Sequence, residues 1–472
     1  MIPGLSIPVF APTRRLAVQR NRTPKTSRRR FLSHAVTVTA GALAAPYLIP
    51  ASALGRDGSV APSERITVGM IGLGRQVLAY NLPYFMSQND CEIVALCDVD
   101  RWRLDVSEER TASYYGEQKN RCPKVPNCPR YVDFREVLGR PDIDAVMIST
   151  PDHWHVPMSI LAVKAGKDVC CEKPLTRSIA EGRLLSDIVT QHQRVFRTDS
   201  EFRSLPQFHR AVELVRNGRI GKLHTIRTSV PYGSGRTEPS PPYVDMPVPE
   251  ELDYAFWQGP VADRPYTENR VHQNKGYERP GWMNIRDYCD GMILNWTTHL
   301  NDIAQWGNNT DRTGPVAVEG QGKFPPAGSL WDVCYEFEYT CTYANGVKLI
   351  CNTSAPYTRF EGEEGWVQAN FGGENPLQAE PASLLSAPIG PDELHFPLKP
   401  EKRDFLDAVK SRGQTLADAE VGHRTASLGH LGHIAIQLSR PLKFDPDKER
   451  FEGDDEANKL LALPPGRTPW AV

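Results

Sequence analysis

The sequence predicts an α/β protein: a doubly wound parallel sheet followed by an α+β domain built on antiparallel strands. Three observations predict it. Short, continuously apolar runs alternate with helix-compatible segments over residues 64–200, a Gly-x-Gly turn follows the first run, and two later alternating runs meet at Asn345-Gly346. At 472 residues the chain has room for two domains. Its composition, 40% hydrophobic and 24% charged, is that of a globular protein, and its 40 prolines and 36 glycines follow no period that would indicate a fibrous or repeat architecture.

Residues 1–53 form a separate unit. They carry seven arginines (14, 15, 20, 22, 28, 29 and 30), Lys25 and no acidic residue. Ser27-Arg28-Arg29-Arg30-Phe31-Leu32, a moderately apolar run over 35–49 and Ala51-Ser52-Ala53 stand in the order of a signal peptide. The paired arginines before Phe-Leu are similar to a twin-arginine export signal, so the expected location is the bacterial periplasm, with the export machinery as a partner. The apolar run, interrupted by Thr37, Thr39, Gly41 and Pro46, is shorter than the ~20 residues of a spanning helix. Without this leader, 47 basic residues face 57 acidic ones, a net charge of −10. Such a body has no bulk attraction for nucleic acid or an anionic membrane. Of the ten cysteines, only Cys122 and Cys128 look like a local disulfide pair, and no Cys-x-x-Cys occurs.

The apolar runs lie at 66–71, 93–97, 143–149 and 168–171. Their lack of alternation suits parallel strands buried on both faces. Residues 156–165 read as a helix closed by Gly166. The first run enters Gly72-Leu73-Gly74-Arg75-Gln76-Val77. Two glycines permit a tight turn and close approach of the backbone to a pyrophosphate, and the helix behind them supplies N–H donors. Val77 takes the place of the third glycine of that fingerprint. The second run ends in Asp98-Val99-Asp100. A carboxylate there accepts from the adenosine ribose and repels a 2′-phosphate, so Asp98 favours NAD, while Arg101 beside it leaves NADP open.

Ser149-Thr150-Pro151-Asp152-His153-Trp154-His155 ends the third run, and Cys171-Glu172-Lys173-Pro174-Leu175-Thr176 ends the fourth. With the glycine loop, these segments resemble the glucose–fructose oxidoreductase and inositol dehydrogenase family (Gfo/Idh/MocA) over nearly all of the chain after the leader. The resemblance implies a Rossmann domain at 64–200 and a C-terminal domain at 201–445, with a tail at 446–472. In that second domain it implies a large, mostly antiparallel open sheet, one side closing the active site and the other pairing subunits into a homo-oligomer. It also places Thr150, Pro151 and His155 along the cofactor and Glu172 and Lys173 at the reacting end. Lys173 has a physical case of its own. It follows a buried strand at the carboxyl edge of the sheet, where ligands of open α/β folds bind. A cation there stabilises the alkoxide that forms as hydride leaves.

In the second domain, 208–217 has helical spacing and 218–226 leads into a strand. A long loop over 231–280 holds Tyr254, Trp257 and Tyr277. With Trp282, these aromatics either stack on a sugar or pack the loop, and Arg286 is a polar partner for the substrate. In the segment from Asp290 to Gly307, Leu294, Ile303 and Trp306 share one helical face, and Asn295 and His299 share another. The resembled family has Asp and His at these two positions, facing the nicotinamide. His299 is therefore the candidate general base, with Asn295 holding a hydroxyl and Asp302 orienting the ring. Residues 333–343 and 347–353 read as a hairpin, and 405–412 and 422–438 as helices whose His423, His430 and His433 are packing or surface residues rather than ligands. No cluster has metal-ligand spacing, so no metal is expected. The expected function is hydride transfer between NAD(H) and a secondary hydroxyl carbon of a sugar, cyclitol or glycoside. The alternatives are an NAD-dependent glycosidase acting by transient oxidation and elimination, and a non-catalytic sugar-binding protein on the same fold.

Overall fold

The computed structural model describes residues 60–117, 128–233, 240–241, 244–463, 466–467 and 470. The leader at 1–53 and Cys122 lie outside them. Cys128 is buried, with Sγ 3.8 Å from the Ile93 carbonyl oxygen.

The first sheet contains β1 (Ile66–Ile71), β2 (Cys91–Cys97), β3 (Arg130–Tyr131), β4 (Ala145–Ile148), β5 (Asp168–Glu172) and β6 (Phe196–Asp199). Their order is β3-β2-β1-β4-β5-β6, and every pair is parallel. All but the short β3 are buried at every position, as strands covered on both faces must be. Three of the connecting helices are Arg101–Glu117, His155–Lys164 and Ile179–His192. Strand order reverses between β1 and β4, which opens a crevice at their carboxyl ends. Behind the glycine turn, Val77 begins a π-type turn, Val77–Asn81, that runs into the helix Leu82–Ser87. Its side chain is fully buried, so the position a third glycine would occupy is filled with core volume.

The second sheet contains β7 (Leu223–Val230), β8 (Ala317–Lys323), β9 (Glu336–Thr342), β10 (Lys348–Thr353), β11 (Tyr357–Gly362), β12 (Gly365–Asn370), β13 (Leu377–Glu380), β14 (Leu442–Asp445) and β15 (Arg450–Phe451). The order is β13-β12-β11-β7-β10-β9-β8-β14-β15, and only β7 with β10 is parallel. Burial alternates along β9 and β10, so one face carries the core. Helices Pro206–Arg216, Thr297–Asn308 and Ala419–Leu438 pack on it. The hairpin turns at Gly346, whose φ of 84° suits glycine, and the Tyr343 N–H donates to the Val347 carbonyl at 2.9 Å.

Late segments of the chain return to the first domain. Phe405, Leu406, Ala408 and Val409 of the helix Glu401–Ser411 join the core beneath β1 and β2. Buried Lys402 on the same helix donates to Asp199 at 2.8 Å. The helix Ala419–Leu438 touches the Rossmann sheet so closely that a Cβ at Gly422 would lie 2.0 Å from Thr198 Oγ1 and 2.9 Å from Leu175. No helix among the described residues is long and apolar enough to cross a membrane. Gly422→Ala therefore overpacks the junction between the two sheets and costs about 1–3 kcal/mol. A thermal melt should show a lower Tm, and an unchanged Tm contradicts the tight junction.

Candidate functional site

The carboxyl ends of β1, β2, β4 and β5, with the 277–283 segment of the second domain, enclose a cleft of about 350 Å³. Gly72 makes the turn at its floor with φ of 82°, and a Cβ there would lie 2.7 Å from the Ser149 carbonyl oxygen. Only glycine fits that backbone. A Cβ at Gly74 would meet nothing within 4 Å, so open space lies over the second half of the turn, as a pyrophosphate needs. Asp98 braces the turn: Leu73 N–H donates to Oδ2 at 2.6 Å and Asp100 N–H to Oδ1 at 2.8 Å. Burial pushes its carboxyl up to about 6, against the pull of Arg103. Thr150 Oγ1 is buried without a partner on the cleft wall. This floor fits a dinucleotide. Arg101 is turned away, its guanidinium reaching the Glu250 carbonyl at 3.4 Å, and it does not line the cleft. Arg103 does, held by Asp100 at 3.4 Å and by the Gly276 carbonyl at 3.0 Å.

At the other end, Lys173 leaves β5 half-buried, and its Nζ donates to the Asn295 backbone oxygen at 3.3 Å and to Oδ1 at 3.4 Å. Asn81, on the π-type turn, donates to Glu172 at 2.9 Å and to Ser149 Oγ at 3.1 Å. The His155 ring lies between two loop carbonyls, Nδ1 at 2.8 Å from Pro174 and Nε2 at 2.9 Å from Thr150, and so ties both motif loops together. His299 stacks on Phe202 at 4.4 Å between ring centres, with Nε2 3.9 Å from Glu201. Burial, then the Lys173 charge, holds the imidazole well below its ordinary 6.5. The ring is therefore neutral, the form that accepts a proton. Asp152 is buried with Oδ2 unpartnered, and burial raises its carboxyl to about 6. Burial likewise raises Glu201, against the pull of Lys173.

The cleft thus gathers Gly72, Gly74, Asp98, Thr150, Pro151, His155, Glu172, Lys173, Trp282, Asn295 and His299. Asp302, Arg286 and Tyr254 lie elsewhere. Asp302 does not orient His299; its carboxylate takes Arg203 at 2.8 and 2.7 Å and Ser200 at 2.8 Å, a buried ion pair. Arg286 donates to Gln437 at 2.9 Å and does not line the cleft. Trp257 and Tyr277 line it, whereas Tyr254 packs within the long loop against Trp257 and Tyr266. Sequence reasoning missed Asp152, Glu201, Asn81 and Arg103. Asp152 stood inside a quoted motif, and Glu201 follows β6 at the same sheet edge as Lys173. Asn81 and Arg103 had no signal beyond their proximity to the glycine turn and Asp98.

Residues 66–200 match the oxidoreductase family NAD-binding Rossmann fold (GFO_IDH_MocA), and residues 234–472 match the family's C-terminal alpha/beta domain. The chain belongs to the Gfo/Idh/MocA oxidoreductase family. A curated relative, an alpha-N-acetylgalactosaminidase of Shewanella oneidensis, is 30% identical over 207 residues, 42% of this chain and 44% of that protein. The chain spans 38–44% of the length of such curated relatives. Among solved structures, the aldose-aldose oxidoreductase of Caulobacter crescentus complexed with glycerol superposes with a TM-score of 0.58 at 17% identity, covering 80% of this chain and 100% of that one. A levoglucosan dehydrogenase in complex with NADH and L-sorbose gives 0.57 at 18% identity, over 80% and 99%. At these identities the two structures establish the shared fold.

The two glycines separate folding from binding. Gly72→Ala should lower Tm, whereas Gly74→Ala should fold normally and lose NAD binding in a fluorescence titration; equal behaviour of the two contradicts this assignment. For His299, the pH profile of kcat/KM should show no inflection near 6.5 belonging to the ring. An inflection there that vanishes in His299→Gln contradicts a ring kept neutral by burial.

Proposed function

We propose that the chain transfers hydride between NAD and a secondary hydroxyl carbon of a sugar, cyclitol or glycoside. The observation that carries this reading is the Lys173–Asn295 contact at the end of the dinucleotide cleft, with neutral His299 on the same wall. Bound NAD supplies the hydride acceptor or donor. Lys173 donates to the substrate oxygen and stabilises the charge gathering there. His299 takes the hydroxyl proton, and Glu201, 3.9 Å away, balances the imidazolium. Asp98 at the ribose end supports NAD over NADP.

One relative favours a second reading. A relative 30% identical over 207 residues is named an alpha-N-acetylgalactosaminidase; transient oxidation of a glycoside would acidify a neighbouring C–H, so that the aglycone is eliminated, water adds in its place and hydride returns. Asp152, whose carboxyl burial raises to about 6, is available as an acid for the leaving group. A non-catalytic sugar-binding protein would need neither the cation nor the neutral base.

We also propose export to the periplasm by the leader at 1–53, and self-association through the sheet face opposite the helices. Protein recovered from the periplasm of a bacterial host should have lost the leader by intact mass and should carry one bound dinucleotide. Given a panel of sugars and chromogenic glycosides, it should produce NADH from a sugar if it is a dehydrogenase. Aglycone release with no net NADH selects the glycosidase. Protein without dinucleotide and inert to the whole panel contradicts both.

A further inference from the structure

We propose that Arg467 and Trp470, near the C-terminal end of the chain, belong to the cofactor site: they back the aromatic wall at the Asp98 end of the cleft and set how long NAD(H) stays bound. Phe134, Trp154 and Phe256 all line the cleft. Their rings form one cluster, with centres 5.7 Å apart for Phe134 and Trp154 and 5.8 Å for Trp154 and Phe256. Val99, next to the ribose-binding Asp98, packs on the same cluster. This is the adenosine end of a dinucleotide site.

Phe256 is the weak part of that wall. It stands on a five-residue helix, Tyr254–Gln258, within the long loop, outside both sheets. Two backbone bonds tie the start of this segment to the tip of β2, Asp253 N–H to Val99 and Arg101 N–H to the Glu251 carbonyl, both at 3.0 Å. The other end of the helix is held by the tail. Arg467 donates to the carbonyls of Ala255 at 3.0 Å and Gly259 at 3.1 Å, its backbone N–H to Pro260 at 2.9 Å, and its guanidinium to Asp263 at 2.8 Å. The Gly259 and Pro260 carbonyls lie just past the helix, and the Ala255 carbonyl, in its first turn, also accepts from Gly259 N–H at 3.3 Å, so Arg467 spans the helix and the chain that leaves it.

Trp470 then covers the rings themselves. It stacks on Phe256 at 4.7 Å and 20°, meets Trp154 edge-on at 5.2 Å, and carries the Arg135 guanidinium 5.0 Å over its own ring. It does not line the cleft; it stands behind the two rings that do. At Gly259 a Cβ would lie 2.1 Å from the Trp154 ring, so the loop is already pressed onto the wall with no slack. For the adenosine end to open, Phe256 must move, and it cannot move without breaking the Trp470 stack and the Arg467 bonds. The tail is thus a clasp on the cofactor wall that leaves the reacting end free for substrate.

The test uses the full-length chain loaded with NADH and chased with excess NAD, following the loss of bound-NADH fluorescence, with Tm measured in parallel. Trp470→Ala and Arg467→Ala should each release NADH on the order of tenfold faster. Trp470→Phe, which keeps a ring on Phe256, should stay close to the wild-type rate, and all three should melt near the wild-type Tm. Release from Trp470→Ala at the wild-type rate overturns the proposal, as does release from Trp470→Phe as fast as from Trp470→Ala. If Trp470→Ala does not fold, Arg467→Ala decides alone, and an unchanged rate there overturns it.

Discussion

An ammonium group at the end of a buried parallel strand is held in place only if something meets it, and the first domain offers Lys173 the charges of Glu172 and Asp152. Its partner comes from the second domain: both oxygens of Asn295 lie within 3.4 Å of Nζ. The remaining architecture keeps that register. His155 fixes the two loops on either side of the lysine through the carbonyls of Thr150 and Pro174. Asn81 anchors Glu172 from below. Lys402 with Asp199 and the contacts of Gly422 with Thr198 and Leu175 join the two domains, and within the second domain Arg203 holds Asp302 on the helix that follows Asn295. Removing one partner of a buried ion pair such as Arg203–Asp302 costs about 3–5 kcal/mol, which is why these pairs fix position even where they add little net stability.

The choice of Asn rather than Asp at 295 shapes the chemistry. An amide fixes the lysine without neutralising it, so the cation keeps its charge for an oxygen that becomes negative in the transition state. The same charge, with burial, keeps His299 unprotonated. Carboxylates are present but set back. Glu201 stands beside the imidazole, and Asp152 is buried on the cleft wall with its proton held more tightly than usual. A neutral base, a cation held by an amide and reluctant carboxyls suit a site that moves a proton at one oxygen while hydride moves at the adjoining carbon.

The first domain was legible because parallel strands buried on both faces need unbroken apolar runs, and residues 93–97 and 145–148 have them. The second sheet was only partly legible. β9 and β10 show alternation and a turn signal, whereas β8, Ala317–Lys323, contains two glycines and almost no apolar side chain to mark a face. Within the site, helical spacing found Asn295 and His299 but misplaced Asp302. One turn along a helix names the neighbouring face, and what that face meets is decided by another element, here Arg203. The aromatic loop was read as sugar-binding or packing. It packs on the tip of β2, where Val99 and Arg101 bond to its Asp253 and Glu251, a docking that no local pattern announces.

The most direct measurement is a single-turnover reaction of the NAD-loaded chain, mixed in a stopped-flow instrument with sugars and glycosides and followed by NADH absorbance. The wild-type chain should show an NADH rise with a cognate sugar. Lys173→Met should keep its dinucleotide and lose at least about 100-fold of that rate. A rise of equal rate in Lys173→Met, with the dinucleotide still bound, would contradict the account at its centre.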